Sequence, residues 1–295
     1  MKIGFVGLGN MGSGMANNIL KKINNKADLF VYTRTLEKIE KMTAKGAMGC
    51  SSIEEITNKV DVLLTCLPNV ETSKELFMGS GGIFEFANSN QVLVDHSTVD
   101  VKTSKECFDS AKKKNLNFLD APISGGPGGA ADGTLTIMVG GEKSSFDKAK
   151  EAFSMMGAKI SLMGPSGAGT AMKLVNQLLV STNTVAAAEA FVLAEQSGVN
   201  LSAAIDILST SWGRSTMIER NGPITVNKEF ENSPAPLRNL VKDIGIIKDL
   251  TDQLGLKLPV TMASSDVVDE TMKLNLNEPD IAATALSIKK ISGIE

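Results

Sequence analysis

A lysine and two amides fall on one side of a helical segment in the second half of this 295-residue sequence. In Gly167-Ala168-Gly169-Thr170-Ala171-Met172-Lys173-Leu174-Val175-Asn176-Gln177, positions 173, 176 and 177 are i, i+3 and i+4, so Lys173, Asn176 and Gln177 share a helix face. Three polar groups on an otherwise apolar helix need partners if buried, and they make sense facing a cleft. A lysine there can transfer a proton once burial or a nearby positive charge lowers its pKa from the ordinary value of about 10.4. The competing reading is a helix-entry lysine in solvent. His96, the one histidine, is the rival base, because it directly follows a strand-like segment ending at Asp95. Structural histidines are common at such loops. Ser124-Gly125-Gly126 offers a hydroxyl and backbone N–H groups, the makings of an anion nest. Pro127 and the glycines at 125, 126, 128, 129 and 133 equally suit a plain flexible loop.

These groups need a reaction partner, and the start of the chain supplies a place for one. Lys2-Ile3-Gly4-Phe5-Val6 reads as an apolar strand, Gly7-Leu8-Gly9-Asn10-Met11-Gly12 as a turn, and the next residues as a helix. In that setting G-x-G-x-x-G binds dinucleotides. Gly7 makes the tight turn, Gly9 lets the backbone approach a pyrophosphate, and Gly12 packs helix on strand. The helix dipole and its free N–H groups face the phosphates. The second strand ends Val31-Tyr32-Thr33-Arg34-Thr35, with no acid to accept from a ribose 2′-OH. Arg34 can pair bidentately with a 2′-phosphate, and the Thr33 and Thr35 hydroxyls can add to it, so NADP is expected over NAD. A solvated Arg34 is the alternative.

Up to about Gly164, strand-like and helix-like segments alternate, which predicts a doubly wound parallel sheet. Strands are expected at Asp28–Thr33, Val60–Leu67, Gln91–Asp95, Asn117–Asp120, Leu135–Val139 and Lys159–Met163, with a charged surface helix at Thr35–Gly46. The run 124–129 is too glycine-rich for either element. From Gly167 onward helical periodicity takes over, with helices expected at Thr170–Gln196, Ser202–Ser209, Leu237–Leu254, Pro259–Met272 and Asp280–Ile291. The expected architecture is an α/β Rossmann domain over 1–164 and an all-α domain over 165–295. The apolar stretch Leu174–Ala194 contains Asn176, Gln177, Asn183 and Glu189 and reads as a buried helix rather than a membrane span.

Composition narrows the classes. A net charge of −3 gives no electrostatic case for nucleic acid or an anionic membrane as partner. One histidine rules out a His-rich metal site, and no metal is expected. Cys50, Cys66 and Cys107, widely spaced and odd in number, suit buried reduced thiols in a cytoplasmic protein. No signal peptide is expected, since the first strand opens at Lys2.

The residues together resemble the β-hydroxyacid dehydrogenases, the family typified by 3-hydroxyisobutyrate dehydrogenase and tartronate semialdehyde reductase. Phe5–Ala16 is similar to that family's entry signature. Further matches are Cys66-Leu67-Pro68-Asn69, Asp95-His96-Ser97-Thr98-Val99, Asp120-Ala121-Pro122-Ile123-Ser124-Gly125-Gly126, Gly167-Ala168-Gly169 with Lys173-Leu174-Val175-Asn176-Gln177, and Lys242-Asp243. The resemblance implies a semialdehyde reductase or hydroxyacid dehydrogenase, a homodimer or homotetramer built on the long helix between its domains. It implies Lys173 as general acid/base and Ser124, Gly125 and Gly126 as the cradle of the substrate carboxylate. Thr98 would sit near the nicotinamide, and Asn176 and Gln177 near the substrate. Leu67, Pro68 and, from the helical domain, Lys242 would bind the cofactor along with the residues of the glycine turn. Asp243 is implied as a pocket neighbour or an ordinary helix-surface acid.

The chain departs from the pattern at Ala235, where many relatives carry phenylalanine, and in Ser211-Trp212-Gly213-Arg214-Ser215. Arg214 could bind a second polar or anionic end of a threonate-type or sulfonated substrate; the alternative is Trp212 in the core and Arg214 in solvent. 6-Phosphogluconate dehydrogenase shares the architecture but needs a longer helical domain and Lys-x-x-His-Asn. Imine reductases typically replace the helix lysine by an acid or tyrosine. A non-catalytic NADP-binding scaffold would be expected to lack the proton donor.

Overall fold

The computed structural model describes residues 1–294, the side chain of Ala27 aside. Contacts divide the chain into two units, Met1–Lys173 and the residues from Leu174 on. The first unit runs β1 (Ile3–Val6), α1 (Asn10–Lys22), β2 (Leu29–Tyr32), α2 (Leu36–Thr43), β3 (Met48–Gly49), α3 (Ile53–Lys59), β4 (Val62–Thr65), α4 (Val70–Met78), α5 (Ile83–Phe86) and β5 (Val92–Asp95). It continues with α6 (Val101–Lys113), β6 (Asn117–Asp120), β7 (Ile123–Ser124), α7 (Gly126–Asp132), β8 (Leu135–Gly141), α8 (Lys143–Met156), β9 (Gly157–Gly164) and the start of α9 (Ala168–Gln196). The second unit holds the rest of α9, then α10 (Leu201–Leu208), α11 (Thr216–Asn227), α12 (Leu237–Gln253), α13 (Pro259–Met272) and α14 (Thr284–Ile291).

The sheet order is β3-β2-β1-β4-β5-β6-β8-β7, with β9 against β8. From β3 to β6 every pairing is parallel, whereas β8 runs antiparallel to both β6 and β7. The central strands are continuous apolar runs because helices cover both faces. Ile3, Phe5, Val62, Leu64, Val92, Val94 and Leu119 feed the core on one face, and Val6, Leu63, Leu93 and Phe118 the core on the other. Register aligns the strand ends: Tyr32 beside Val6, Val6 beside Thr65, Thr65 beside Asp95, and Asp95 beside Asp120. The turns that follow these residues therefore share one edge of the sheet, the edge at which open α/β sheets bind ligands.

The second unit is helical, with one core formed by Val185, Leu237, Leu240, Ile244, Val268 and Ile281. Helix α9 is long and apolar enough to cross a membrane, and 39% of its apolar window is buried.

Three expectations need correction. The glycine-rich run after Ser124 is not a loop: Ser124 ends a short strand and Gly126–Asp132 is a helix. Pro127 sits at the helix start and Gly133, at φ 69°, closes it. Helix α11 is not expected from the sequence, because Gly222 and Pro223, ordinarily breakers, lie inside it. The expected helix Asp280–Ile291 opens instead with a 3₁₀ turn, Ile281–Ala283, before α14. The other strands and helices for which ends are expected fall within about two to four residues of them, the usual scatter of element boundaries.

Candidate active site

Three glycines shape the first turn, each for a different physical reason. Gly7 holds φ at 96°, and a Cβ there would lie 2.3 Å from the Cys66 carbonyl oxygen. A Cβ at Gly12 would lie 1.9 Å from the Gly7 carbonyl oxygen and 3.0 Å from the Phe5 ring. Gly9 has nothing within 4 Å of where its Cβ would stand, so its backbone is open to an approaching group. Helix α1 starts behind it with Gly9 as N-cap and no acid in its first turn. That leaves a positive helix end facing an unobstructed glycine, a cradle fitted to a pyrophosphate. Thr33 is half-buried at the β2 tip, and Arg34 and Thr35 are exposed.

A buried carboxylate organises the neighbouring tips. Asp95 accepts from the Thr65 hydroxyl at 3.0 Å, the Ser97 N–H at 2.9 Å and the Ser73 hydroxyl at 2.8 Å. Burial raises its pKa, against the opposing pull of its hydrogen bonds from Ser97, Ser73 and Thr65. Ser97 then accepts from the Leu67 N–H at 2.8 Å, fixing the Leu67-Pro68 turn beside Thr98. His96 points elsewhere. It is 1% exposed, its Nδ1 donates to the Ala121 carbonyl over 2.6 Å, and its ring meets Phe153 edge-on at 5.7 Å. Burial lowers its pKa to about 4. It is a neutral core histidine, not the base that its position suggested.

A second buried carboxylate, Asp120, seats the lysine helix. Its oxygens accept from the Gly167 N–H at 2.7 Å and the Thr170 N–H at 2.9 Å, capping α9. Thr170 also bonds the Ser104 hydroxyl at 2.8 Å. Gly169 admits the close approach, for a Cβ there would stand 2.3 Å from the Met138 carbonyl oxygen. Lys173 lies just past this clamp and is only 7% exposed; it is not a solvent lysine. In the sequence Asp120 is only the end of an expected strand, and no local signal links it to a helix start 47 residues away.

Ser124 is half-buried, paired with Thr136 across the β7–β8 ladder. Gly125 and Gly126 follow with φ of 133° and 62°, a turn that side chains with a Cβ rarely adopt.

In the second unit the Asn176 amide donates to the Gln177 carbonyl oxygen at 3.0 Å, and the Gln177 amide donates to Asp243 Oδ2 at 2.5 Å. Lys242 Nζ is 3.2 Å from Asp243 Oδ1. Asp243 is 5% exposed, so it belongs to a buried polar network and is not a helix-surface acid. Trp212 is fully exposed rather than core, and Arg214 is exposed. The three cysteines are free, and Cys66 is half-buried rather than buried. Among the described residues no group of acids, histidines and cysteines is placed to hold a metal.

A family model described as the NAD binding domain of 6-phosphogluconate dehydrogenase matches residues 2–164. Another, described as NAD-binding of NADP-dependent 3-hydroxyisobutyrate dehydrogenase, matches residues 167–287. The 2-(hydroxymethyl)glutarate dehydrogenase of Eubacterium barkeri is 30% identical over 100% of this chain and 97% of its own. Glyoxylate/succinic semialdehyde reductase 1 of Arabidopsis thaliana is 30% identical over 98% and 99%. The crystal structure of 3-hydroxyisobutyrate dehydrogenase from Salmonella typhimurium superposes with a TM-score of 0.87 at 26% identity, covering 97% of this chain and 99% of that one. The chain therefore belongs to the β-hydroxyacid dehydrogenase family and is an NAD(P)-binding oxidoreductase of the 3-hydroxyisobutyrate dehydrogenase type.

Proposed function

We propose that the protein interconverts a small 3-hydroxy acid and its semialdehyde with NADP as preferred cofactor. The observation that carries this is Lys173, 7% exposed on a helix clamped by Asp120 to the unit whose glycine turn is open to a dinucleotide. The relatives named above act, by their names, on hydroxy acids and semialdehydes. When bound, the nicotinamide supplies or accepts the hydride. Gly7, Leu8, Gly9, Asn10, Met11 and Gly12 hold the pyrophosphate side, Thr33, Arg34 and Thr35 the 2′-phosphate, and Leu67, Pro68, Thr98 and Lys242 the rest. Ser124, Gly125 and Gly126 bind the substrate carboxylate, and Thr98, Asn176 and Gln177 orient the substrate. Lys173 delivers a proton to the aldehyde oxygen during reduction and removes it from the hydroxyl during oxidation.

Lys173→Ala is expected to lower kcat by two or more orders of magnitude, the usual scale of a lost general acid, while NADPH binding survives. Near-normal kcat would remove Lys173 from that role. Succinic, methylmalonic, tartronic and sulfonated semialdehydes, assayed as kcat/KM with NADPH and NADH, identify the substrate and test the cofactor preference. We further propose a cytoplasmic homodimer or homotetramer. The support is an apolar stripe on α9, where Val175, Leu179 and Leu193 are exposed, and three cysteines without a disulfide.

A further inference from the structure

Helix α7 should not be stable by itself. Its seven residues include Gly126, Pro127, Gly128 and Gly129, the two residue types least suited to helices. It stands because α1 lies against it. Ala130 is fully buried, and Gly14 of α1 comes so near that a Cβ at Gly14 would be 2.8 Å from the Ala130 carbonyl. Four positions along α1, Asn18 is 3% exposed, and its amide donates to the Ala130 carbonyl at 2.7 Å and the Ala131 carbonyl at 2.9 Å. The same nitrogen reaches its own helix at the Gly14 carbonyl, 3.1 Å away. All three partners are carbonyls, so the nitrogen must be the atom facing them. Ala130 and Ala131 lie in the last turn of α7, where helical carbonyls have no partner within the helix. A Cβ at Gly133, just beyond, would stand 2.9 Å from Asn18 Oδ1, so the end of α7 rests on this side chain.

We infer that Asn18 is a positioning residue for substrate binding: it fastens α7 to the cofactor helix α1, and so holds the Ser124–Gly126 turn from which α7 starts. The inference rests on the reading of that turn as the carboxylate cradle. A helix of two turns transmits a shift at one end to the other, and the turn itself, with two successive glycines at positive φ, has little rigidity of its own. Asn18 touches neither reactant in this account. It makes the dinucleotide end of α1 and the carboxylate turn parts of one rigid block.

The test uses the full chain, the best reduced of succinic, methylmalonic and tartronic semialdehyde, and NADPH. Asn18→Leu keeps the branched shape and the number of heavy atoms and removes both N–H donors. It is expected to raise KM for the semialdehyde about tenfold, the scale of one lost buried hydrogen bond, with NADPH Kd and kcat within about twofold. Gly14→Ala, which removes no hydrogen bond but pushes α7 outward, is expected to give the same split, and it decides the matter if Asn18→Leu does not fold. Ser124→Ala is run in parallel, and Asn18→Leu should add little to it, as expected for residues acting through one contact. An unchanged KM in Asn18→Leu or in Gly14→Ala, or an NADPH Kd that rises as much as KM, overturns the inference while a raised KM in Ser124→Ala leaves the cradle standing. An unchanged KM in Ser124→Ala removes the cradle and the inference together.

Discussion

At the scale of single residues, position along the chain misled and burial corrected. His96 follows a strand at the ligand edge, yet its ring is enclosed and neutral, with a pKa lowered to about 4 by burial. Since an unfolded histidine titrates near 6.5, the unfolded chain takes up a proton between about pH 6.5 and 4 that the fold refuses. Stability is therefore lost as pH falls through that window, by up to about 3 kcal/mol. Asp95 has the opposite sign: its raised pKa means that its share of stability is lost as pH rises. Comparing wild type with His96→Gln cancels Asp95. Melting temperatures from pH 7 to 4.5 should fall less steeply in His96→Gln, even though it is less stable at pH 7; parallel slopes would contradict the assignment. Arg34 is the converse case, proposed for the 2′-phosphate from its type and place alone. Arg34→Ala is expected to weaken NADPH by about tenfold or more, the worth of a charge-assisted hydrogen bond, with little effect on NADH. Equal losses in titrations of both cofactors would remove the phosphate argument.

At the scale of elements, what the sequence disclosed was whatever acts locally. The strand–turn–helix at Ile3–Lys22 could be read because its glycine spacing is local, although the Cys66 carbonyl that crowds Gly7 lies 59 residues further on. So could the shared face of Lys173, Asn176 and Gln177, which follows from helical spacing alone. What stayed hidden were connections made across the fold. The Asp120 cap on α9 joins residues 47 to 50 positions apart, and the support of α7 by Asn18 spans 112. That is why a glycine-rich run read as a loop is a helix: its composition argued against helix, and only tertiary contacts with α1 reverse it. The Asp120 cap yields a measurable consequence. Asp120→Ala leaves two buried N–H groups without acceptors, at about 1–3 kcal/mol each, and frees the helix start that places Lys173. Asp120→Asn retains one acceptor oxygen and should fall between. Urea unfolding and kcat should rank wild type, Asn and Ala in that order. Equal losses in both variants would mean that the carboxyl group does not act as the cap.

At the scale of the whole molecule, the change of texture near Gly164-Pro165 and the division by contacts after Lys173 differ by about two helical turns, the length of α9 that Asp120 and Ser104 fasten to the first unit. Beyond that clamp the helix carries its exposed stripe. Val175, Thr182, Ala186 and Leu193 fall within about 40° of one another around the axis, with Leu179 beside them. Val175, Leu179 and Leu193 are 52%, 53% and 68% exposed, a row of large apolar side chains of the kind that marks interaction surfaces. Val175 and Leu193 are about 27 Å apart along the helix. A second copy lying antiparallel, centred near residue 184, would bring each end against the other and satisfy the self-complementarity of a twofold interface. Leu179→Glu combined with Leu193→Glu places two charges in that row on each chain, four across the pair. If the proposed dimer or tetramer is built on this face, sedimentation equilibrium should show the wild-type assembly reduced to monomer. Because both side chains are solvent-exposed within one chain, circular dichroism of the variant should remain that of a folded protein. A folded variant with wild-type mass would exclude this face of α9 from the assembly.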